Sequence, residues 1–123
     1  MLAAVAAGGA LGGLCRYGVV LLIPVGPNGF PWATFWTNTA GSLLLGALLV
    51  VASRRFPSSR YIRPFFATGL LGASTTFSTL AVEVDLLSAE GAPVRAGIYC
   101  AASVVAGVAA AWIGMLVGRM MTE

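Results

Sequence analysis

Histidine and lysine are both absent from this 123-residue chain, and only 9% of its residues are charged. Without histidine there is no imidazole metal centre and no Ser-His triad. Soluble domains carry about 25% charged residues. A chain this poor in charge, 59% hydrophobic and with a mean hydropathy of +0.92, does not read as a soluble domain. Its two cysteines, Cys15 and Cys100, lie in apolar stretches with no Cys-x-x-Cys or Cys/His spacing, as small packing residues do. No nucleophile–base pair and no cluster of metal-ligating side chains is visible, so no enzyme is expected. Met1–Leu14 lacks the positive start of a cleavable signal peptide, and the apolar pattern simply continues through it. The length fits one domain rather than two. The net charge of +3 comes from seven arginines against four acids, and four of the arginines fall between Arg54 and Arg63. That clustering reads as a loop beside a membrane, not as a nucleic-acid surface.

What is present is four long apolar runs. A membrane-crossing helix needs roughly 20 mainly apolar residues. Such runs extend over about Leu2–Ile23, Trp32–Ser53, Tyr61–Leu87 and Pro93–Arg119. They predict one all-α, four-helix transmembrane domain over residues 1–123. Pro24, Gly26, Pro27, Asn28, Gly29 and Pro31 make a short uncharged turn after the first run. Trp32, Trp36, Tyr61 and Trp112 lie toward run ends, where amphipathic rings favour the interface. Gly8/Gly12, Gly9/Gly13 and Gly114/Gly118 are GxxxG pairs that permit close helix approach, either within one bundle or at a dimer seam. Arg54, Arg55, Arg60, Arg63 and Arg119 share one side of the membrane and Arg95 the other, with Arg16 near that second side. The imbalance predicts cytoplasmic termini in a cell-membrane protein.

Residues 72–79 read Gly-Ala-Ser-Thr-Thr-Phe-Ser-Thr inside the third run, where no charge occurs from Pro64 to Val82. Ser74, Thr75, Thr76, Ser78 and Thr79 put five hydroxyls into six positions, with Phe77 the exception. Polar or non-helical backbone at membrane depth is tolerated where protein buries it or a water-filled path passes it. Interrupted helices of this kind hold ions or substrates in transporters.

Other candidates surround this run. Arg16 is a charge inside the first span, costing about 2.5–3.5 kcal/mol at the bilayer centre and less near its edge. It either snorkels toward the Pro-rich turn or provides a fixed positive charge at the mouth of an anion path. Asn38 is the one amide within an apolar span, with Thr34 one turn before it. Its NH2 group can face an anion or bridge two helices. Tyr99 and Ser103 form an i, i+4 hydroxyl stripe that continues to Gly107. Glu83 lies deeper than Asp85 and needs a partner, as a proton-coupling acid or as a hydrogen-bonded carboxylate. The ring edge of Phe77 is electropositive and can stabilise a small anion, although core packing is the usual role of such a ring.

These segments resemble the fluoride-specific channel family called Fluc or CrcB. Gly-Gly-Ala-Leu-Gly-Gly-Leu-Cys-Arg-Tyr at residues 8–17 is similar to its first-helix signature. Pro31-Trp32-Ala33-Thr34 through Asn38, with Gly41-Ser42 and Gly46, is similar to its second. Residues 69–79, Gly-Leu-Leu-Gly-Ala-Ser-Thr-Thr-Phe-Ser-Thr, are similar to its third, the most specific of the set. Tyr99 and Ser103 match a polar track on the fourth. The resemblance implies a third helix broken mid-membrane and an inverted dimer with two antiparallel pores. It implies a fluoride path past Asn38 and Phe77; Thr34, Thr76, Ser78, Tyr99, Ser103 and Arg16 are the further candidates along such a path. It also implies a structural sodium ion at the dimer axis, held by the backbone carbonyls of Gly72 and Thr75.

Two positions depart from the family pattern. Leu80 stands where a second Phe usually closes the motif, and Gly107 where a hydroxyl is often found. With the arginine imbalance, they leave two arrangements open: a homodimer of inverted copies, or a half-competent subunit paired with a paralogous, oppositely oriented one. A proton-coupled multidrug exporter is the competing class, but such proteins place an acid in the first helix, where this chain has Arg16.

Overall fold

The computed structural model of the protein describes residues 1–25 and 29–123. Gly26, Pro27 and Asn28 of the expected turn lie outside the described residues. Helix α1 spans Leu2–Leu22 and α2 spans Trp32–Arg55. The third span opens as a π-helix, Arg63–Leu71, and continues as the short α3, Gly72–Ser74. It ends as α4, Phe77–Ala89, and α5 spans Pro93–Met120. Among the described residues there is no strand. The four spans are each long and apolar enough to cross a membrane.

Local chemistry sets the ends. Helix α2 runs two residues beyond Ser53 because Arg54 and Arg55 belong to its last turn, where cations favour the exposed carbonyls. Past Ala89 the chain closes in a Schellman arrangement. The Gly91 N–H donates to Ser88 O at 3.3 Å and the Ala92 N–H to Leu87 O at 2.9 Å. Gly91 takes φ 84°, the left-handed region that a side chain resists. Pro93 then opens α5, where its missing N–H costs nothing.

Thr75 and Thr76 are extended, at φ −85°, ψ 150° and φ −153°, ψ 122°. They separate α3 from α4, so the two flanking helical pieces are free to pack separately. The π-helix and α3 lie along α1, whereas α4 lies along α5.

Glycines fix the close crossings. A Cβ on Gly8 would strike the Phe65 carbonyl, and one on Gly12 the Leu70 carbonyl. On the other pair, a Cβ on Gly46 would strike the Ala111 carbonyl and one on Gly114 the Leu43 carbonyl. A Cβ on Gly118 would lie 2.7 Å from Ala47 O. Backbone therefore rests on backbone, as small residues allow in lipid. Residue numbers rise together across each crossing, so α1 runs parallel to the third span and α2 parallel to α5. Two of the three GxxxG pairs thus pack within the chain. Gly9 and Gly13 have nothing within 4 Å and face outward. Only 11–17% of the residues in each span's most apolar window are fully buried within the chain, and large apolar side chains such as Leu14, Trp36, Val105 and Trp112 stay exposed to lipid or a partner.

Gly12→Val and Gly114→Val should each destabilise the fold by about 1–3 kcal/mol, because the backbone facing them cannot move aside. Gly9→Ala should be silent. Thermal unfolding of the purified chain in detergent checks the contrast.

Candidate functional site

The extended pair Thr75-Thr76 is held in place from α2. The Thr76 N–H donates to Asn38 Oδ1 at 2.7 Å, and Asn38 Nδ2 donates back to the Thr76 carbonyl at 3.0 Å. A primary amide is the side chain that can satisfy one backbone N–H and one C=O of the same residue together. The clasp uses one of the two amide hydrogens and leaves the second. Asn38 therefore makes the interhelical bond and keeps a donor as well.

Two carbonyls lose their helical partners as a result. In an unbroken α-helix the Thr76 N–H would bond the Gly72 carbonyl and the Thr79 N–H the Thr75 carbonyl. Here the first goes to Asn38, and the second goes to Thr76 Oγ1 at 3.1 Å, an N-cap on α4. The Leu71 carbonyl, by contrast, receives both the Thr75 N–H and the Thr75 hydroxyl, at 3.0 and 2.9 Å. Ser74 ties this turn to α1, with its hydroxyl 3.2 Å from Gly12 O and 2.7 Å from Leu70 O. Gly72 has ordinary helical backbone, φ −63°, ψ −32°, and a Cβ there would meet only Ala67 O, at 3.5 Å.

Arg16 reaches inward to this cap, not outward to the turn. Its Nη2 donates to Thr79 Oγ1 at 2.6 Å. Thr79 Oγ1 also lies 3.2 Å from Thr76 Oγ1, which is 3.1 Å from Ser78 Oγ. The structure thus gives Arg16 a bond into the start of α4. Three further hydroxyls of the polar run, those of Thr76, Ser78 and Thr79, join one network around the cap.

One turn beyond Thr79, Glu83 receives two hydroxyls. Thr34 donates to Oε1 at 2.8 Å and Tyr99 to Oε2 at 2.6 Å. Both donors are buried, Tyr99 completely. The structure thus separates the expected α5 stripe into two kinds of group. Tyr99 and Thr34 are committed to Glu83, whereas Ser103 Oγ is buried without a hydrogen-bond partner. Of the two sequence-level readings of Glu83, the geometry matches the hydrogen-bonded carboxylate. The spacing Thr79–Glu83 on one helical face is the signal that links Arg16's partner to this acid.

A cleft of about 230 Å³ opens beside the extended pair, lined by Asn38, Ser42, Leu45, Thr75, Thr76, Phe77 and Leu80. Ser42, named in the sequence only as part of the second-helix resemblance, lies one turn after Asn38. A Cβ on Gly107 would sit 3.7 Å from Ser42 Oγ, so Gly107 adjoins the same region. Phe77 is 80% exposed, its ring free of the chain's own core. Leu80 is buried with Leu87, Ala96 and Tyr99, and Phe30, Phe35 and Val84 pack against that cluster. Among the described residues there is no group of three or more His, Cys, Asp or Glu that could hold a metal ion.

The profile of the family described as CrcB-like protein, Camphor Resistance (CrcB), matches residues 3–115. A Streptomyces avermitilis protein named Fluoride-specific ion channel FluC 2 is 47% identical over 103 residues, covering 84% of this chain and 65% of its own. FluC 3 of the same organism is 45% identical, covering 98% and 59%. The chain therefore spans somewhat under two thirds of the length of these two relatives. Fluoride-specific ion channel FluC of Agrobacterium fabrum is 41% identical over 120 residues, covering 96% of this chain and 95% of its own. With four helices able to cross a membrane and a match over nearly its whole length, this chain is a multi-pass membrane protein of the CrcB family.

Proposed function

We propose that this chain is a fluoride-selective channel subunit of the cell membrane through which fluoride leaves passively, and that it performs no enzymatic reaction. The observation that carries the reading is the cleft at the extended pair, where the Asn38 amide, the Ser42 hydroxyl and the exposed Phe77 ring meet. The names of the relatives support it. Hydrofluoric acid crosses lipid as a neutral molecule and ionises inside, so the anion needs an exit. An inside-negative potential drives it outward by about 2.3 kcal/mol per charge per 100 mV, and no proton coupling is required.

Each group has a role suited to an anion. The second Asn38 N–H and the Phe77 ring edge offer positive potential without a formal charge. Ser103 contributes an unpaired hydroxyl on α5. Thr76 and Ser78 line the approach, and Arg16 provides the fixed charge. Thr34 and Tyr99 border the path through Glu83. The exporter reading loses support, since the first span holds no acid and both Glu83 oxygens are engaged by hydroxyls.

The third span serves in this reading as a helix broken mid-membrane within one four-helix transmembrane domain. Two such domains form an inverted dimer. The outward-facing Gly9 and Gly13 and the largely unburied apolar windows favour a partner. A structural sodium ion fits the Gly72 and Thr75 carbonyls, whose usual donors have been taken by Asn38 and Thr76. Hard cations take oxygen ligands, and when bound this one would offset the cost of unpaired carbonyls in lipid. Since Gly72 has room for a Cβ in the single chain, its glycine matters for what approaches from outside. A heterodimer is the second reading, favoured by the arginine imbalance and by Leu80, whose side chain is committed to the core.

Liposomes containing only this chain should release fluoride at least 100-fold faster than chloride, a difference of about 2.7 kcal/mol in barrier. Comparable chloride release would remove the function. Phe77→Ile should lower fluoride flux about tenfold or more while the dimer persists on size exclusion. Exchange of sodium for a large organic cation should slow flux or loosen the dimer. Gly72→Ala should leave helicity intact and weaken assembly, and identical behaviour with and without sodium would argue against the ion. A reporter fused after Glu123 separates the two assemblies. Signal from both membrane faces supports the homodimer, whereas signal from the cytoplasm alone, with no efflux from the purified chain, supports a paired subunit.

A further inference from the structure

We propose that the hollow between the C-terminal ends of α2 and α5 is a binding site for the phosphate headgroup of an acidic phospholipid. The inference is independent of the channel reading. The hollow measures about 340 Å³ and is lined by Leu49, Val50, Ser53, Arg54, Met115 and Arg119. Because α2 and α5 run parallel, both end here, and each delivers an arginine to the same rim. A guanidinium presents forked donors that match phosphate oxygens, and basic hollows between membrane helices suit anionic headgroups.

The arginines of this end are not neutralised by the chain. Arg54 reaches only the Thr122 hydroxyl, at a long 3.4 Å. Arg63 bonds Ser53 Oγ at 2.6 Å, and Arg55 the Met121 carbonyl at 3.0 Å. Their partners are hydroxyls and a carbonyl, not carboxylates. Glu83 is occupied by Thr34 and Tyr99, and Asp85 and Glu90 lie in the second half of α4 and just past its end, beside the turn at the opposite end of α5. Glu123 is exposed and does not line the hollow. The helix C-termini themselves disfavour an anion. Arg55, bonded to a terminal carbonyl of α5, offsets part of that field and leaves Arg54 and Arg119 for a ligand.

The lining decides between a lipid and a free anion. Below the arginines the wall is apolar, and Leu49 and Met115 are 42% and 37% exposed, continuing the outer surface of the bundle. A ligand that matches both halves has a phosphate at the rim and an acyl chain along Leu49 and Met115. Inorganic phosphate would use the rim alone.

Native mass spectrometry of the full chain in neutral detergent tests this, with dimyristoyl phosphatidylglycerol, dimyristoyl phosphatidylcholine and inorganic phosphate as probes. Phosphatidylglycerol should bind at least tenfold tighter than phosphatidylcholine, and the Arg54→Gln/Arg119→Gln variant should weaken it about 30-fold, as expected for two cations near an anionic surface. Arg95→Gln, at the other end of α5, should leave it unchanged. Arg54→Lys/Arg119→Lys keeps the charges and should keep the preference, which covers the case in which the glutamine variant folds poorly. Equal binding of the two lipids, a preference that survives the glutamine variant, or displacement of phosphatidylglycerol by millimolar phosphate would each overturn the proposal.

Discussion

The clasp between the Asn38 amide and the Thr76 backbone is the interaction on which the rest of the polar interior depends. It meets the hydrogen-bonding needs of an extended residue in an otherwise apolar span, at 2.7 and 3.0 Å. Leaving both groups unpaired would cost about 1–3 kcal/mol each. With Thr76 fixed, its side chain is free to cap α4, and the cap gives Arg16 a hydroxyl to bond. With the Thr76 and Thr79 N–H groups diverted, the Gly72 and Thr75 carbonyls are left without the donors a helix would supply. One amide on α2 thus holds the residue that caps α4 and takes the N–H that a continuous helix would direct at the Gly72 carbonyl.

That clasp needs α2 at a fixed height against the third span; glycine crossings fix α1 against the third span and α2 against α5, and Gly41 brings α2 onto Thr75. Backbone carbonyls of the third span occupy the space a side chain would need at Gly8 and Gly12, and those of α5 and α2 do so at Gly46 and Gly114. Contacts of this kind tolerate little sliding, because packed interiors do not deform continuously. Gly41 links the two systems: a Cβ there would collide with the Thr75 side chain itself. The small residues of α2 therefore set both the position of α5 and the conformation of the interrupted segment.

Much of this was legible in the sequence. Hydropathy placed the spans within a few residues, since length and apolarity are properties of the chain itself. The hydroxyl-rich run marked where polar contacts concentrate, because five hydroxyls in an uncharged membrane segment need partners. What could not be read was which partner each group would take. Tyr99 and Ser103 looked alike on a helical wheel, yet one is bonded to Glu83 and the other has no partner. Arg16 had two readings, and neither named the threonine hydroxyl on α4 that it bonds. Gly72 carries no local strain, and nothing within one chain demands a glycine there. The π-helix of the third span has no signature in residue pattern at all.

The two charges inside the bundle are both held by neutral partners. Arg16 bonds a threonine, and Glu83 bonds a threonine and a tyrosine. Thr79 and Glu83 are i and i+4 on α4, so one face of one helix carries the contact of each charge, a turn apart. Had the arginine and the acid paired with each other, their fields would largely cancel and the interior would present a closed ion pair. Hydroxyl partners instead satisfy the hydrogen bonds while leaving each field open to its surroundings. In the proposed channel this gives an anion an attractive charge near the α4 cap and a repulsive one beyond it. A conducting site has to bind weakly enough to release, and a positive charge tempered by a carboxylate one turn away meets that requirement better than an isolated arginine would.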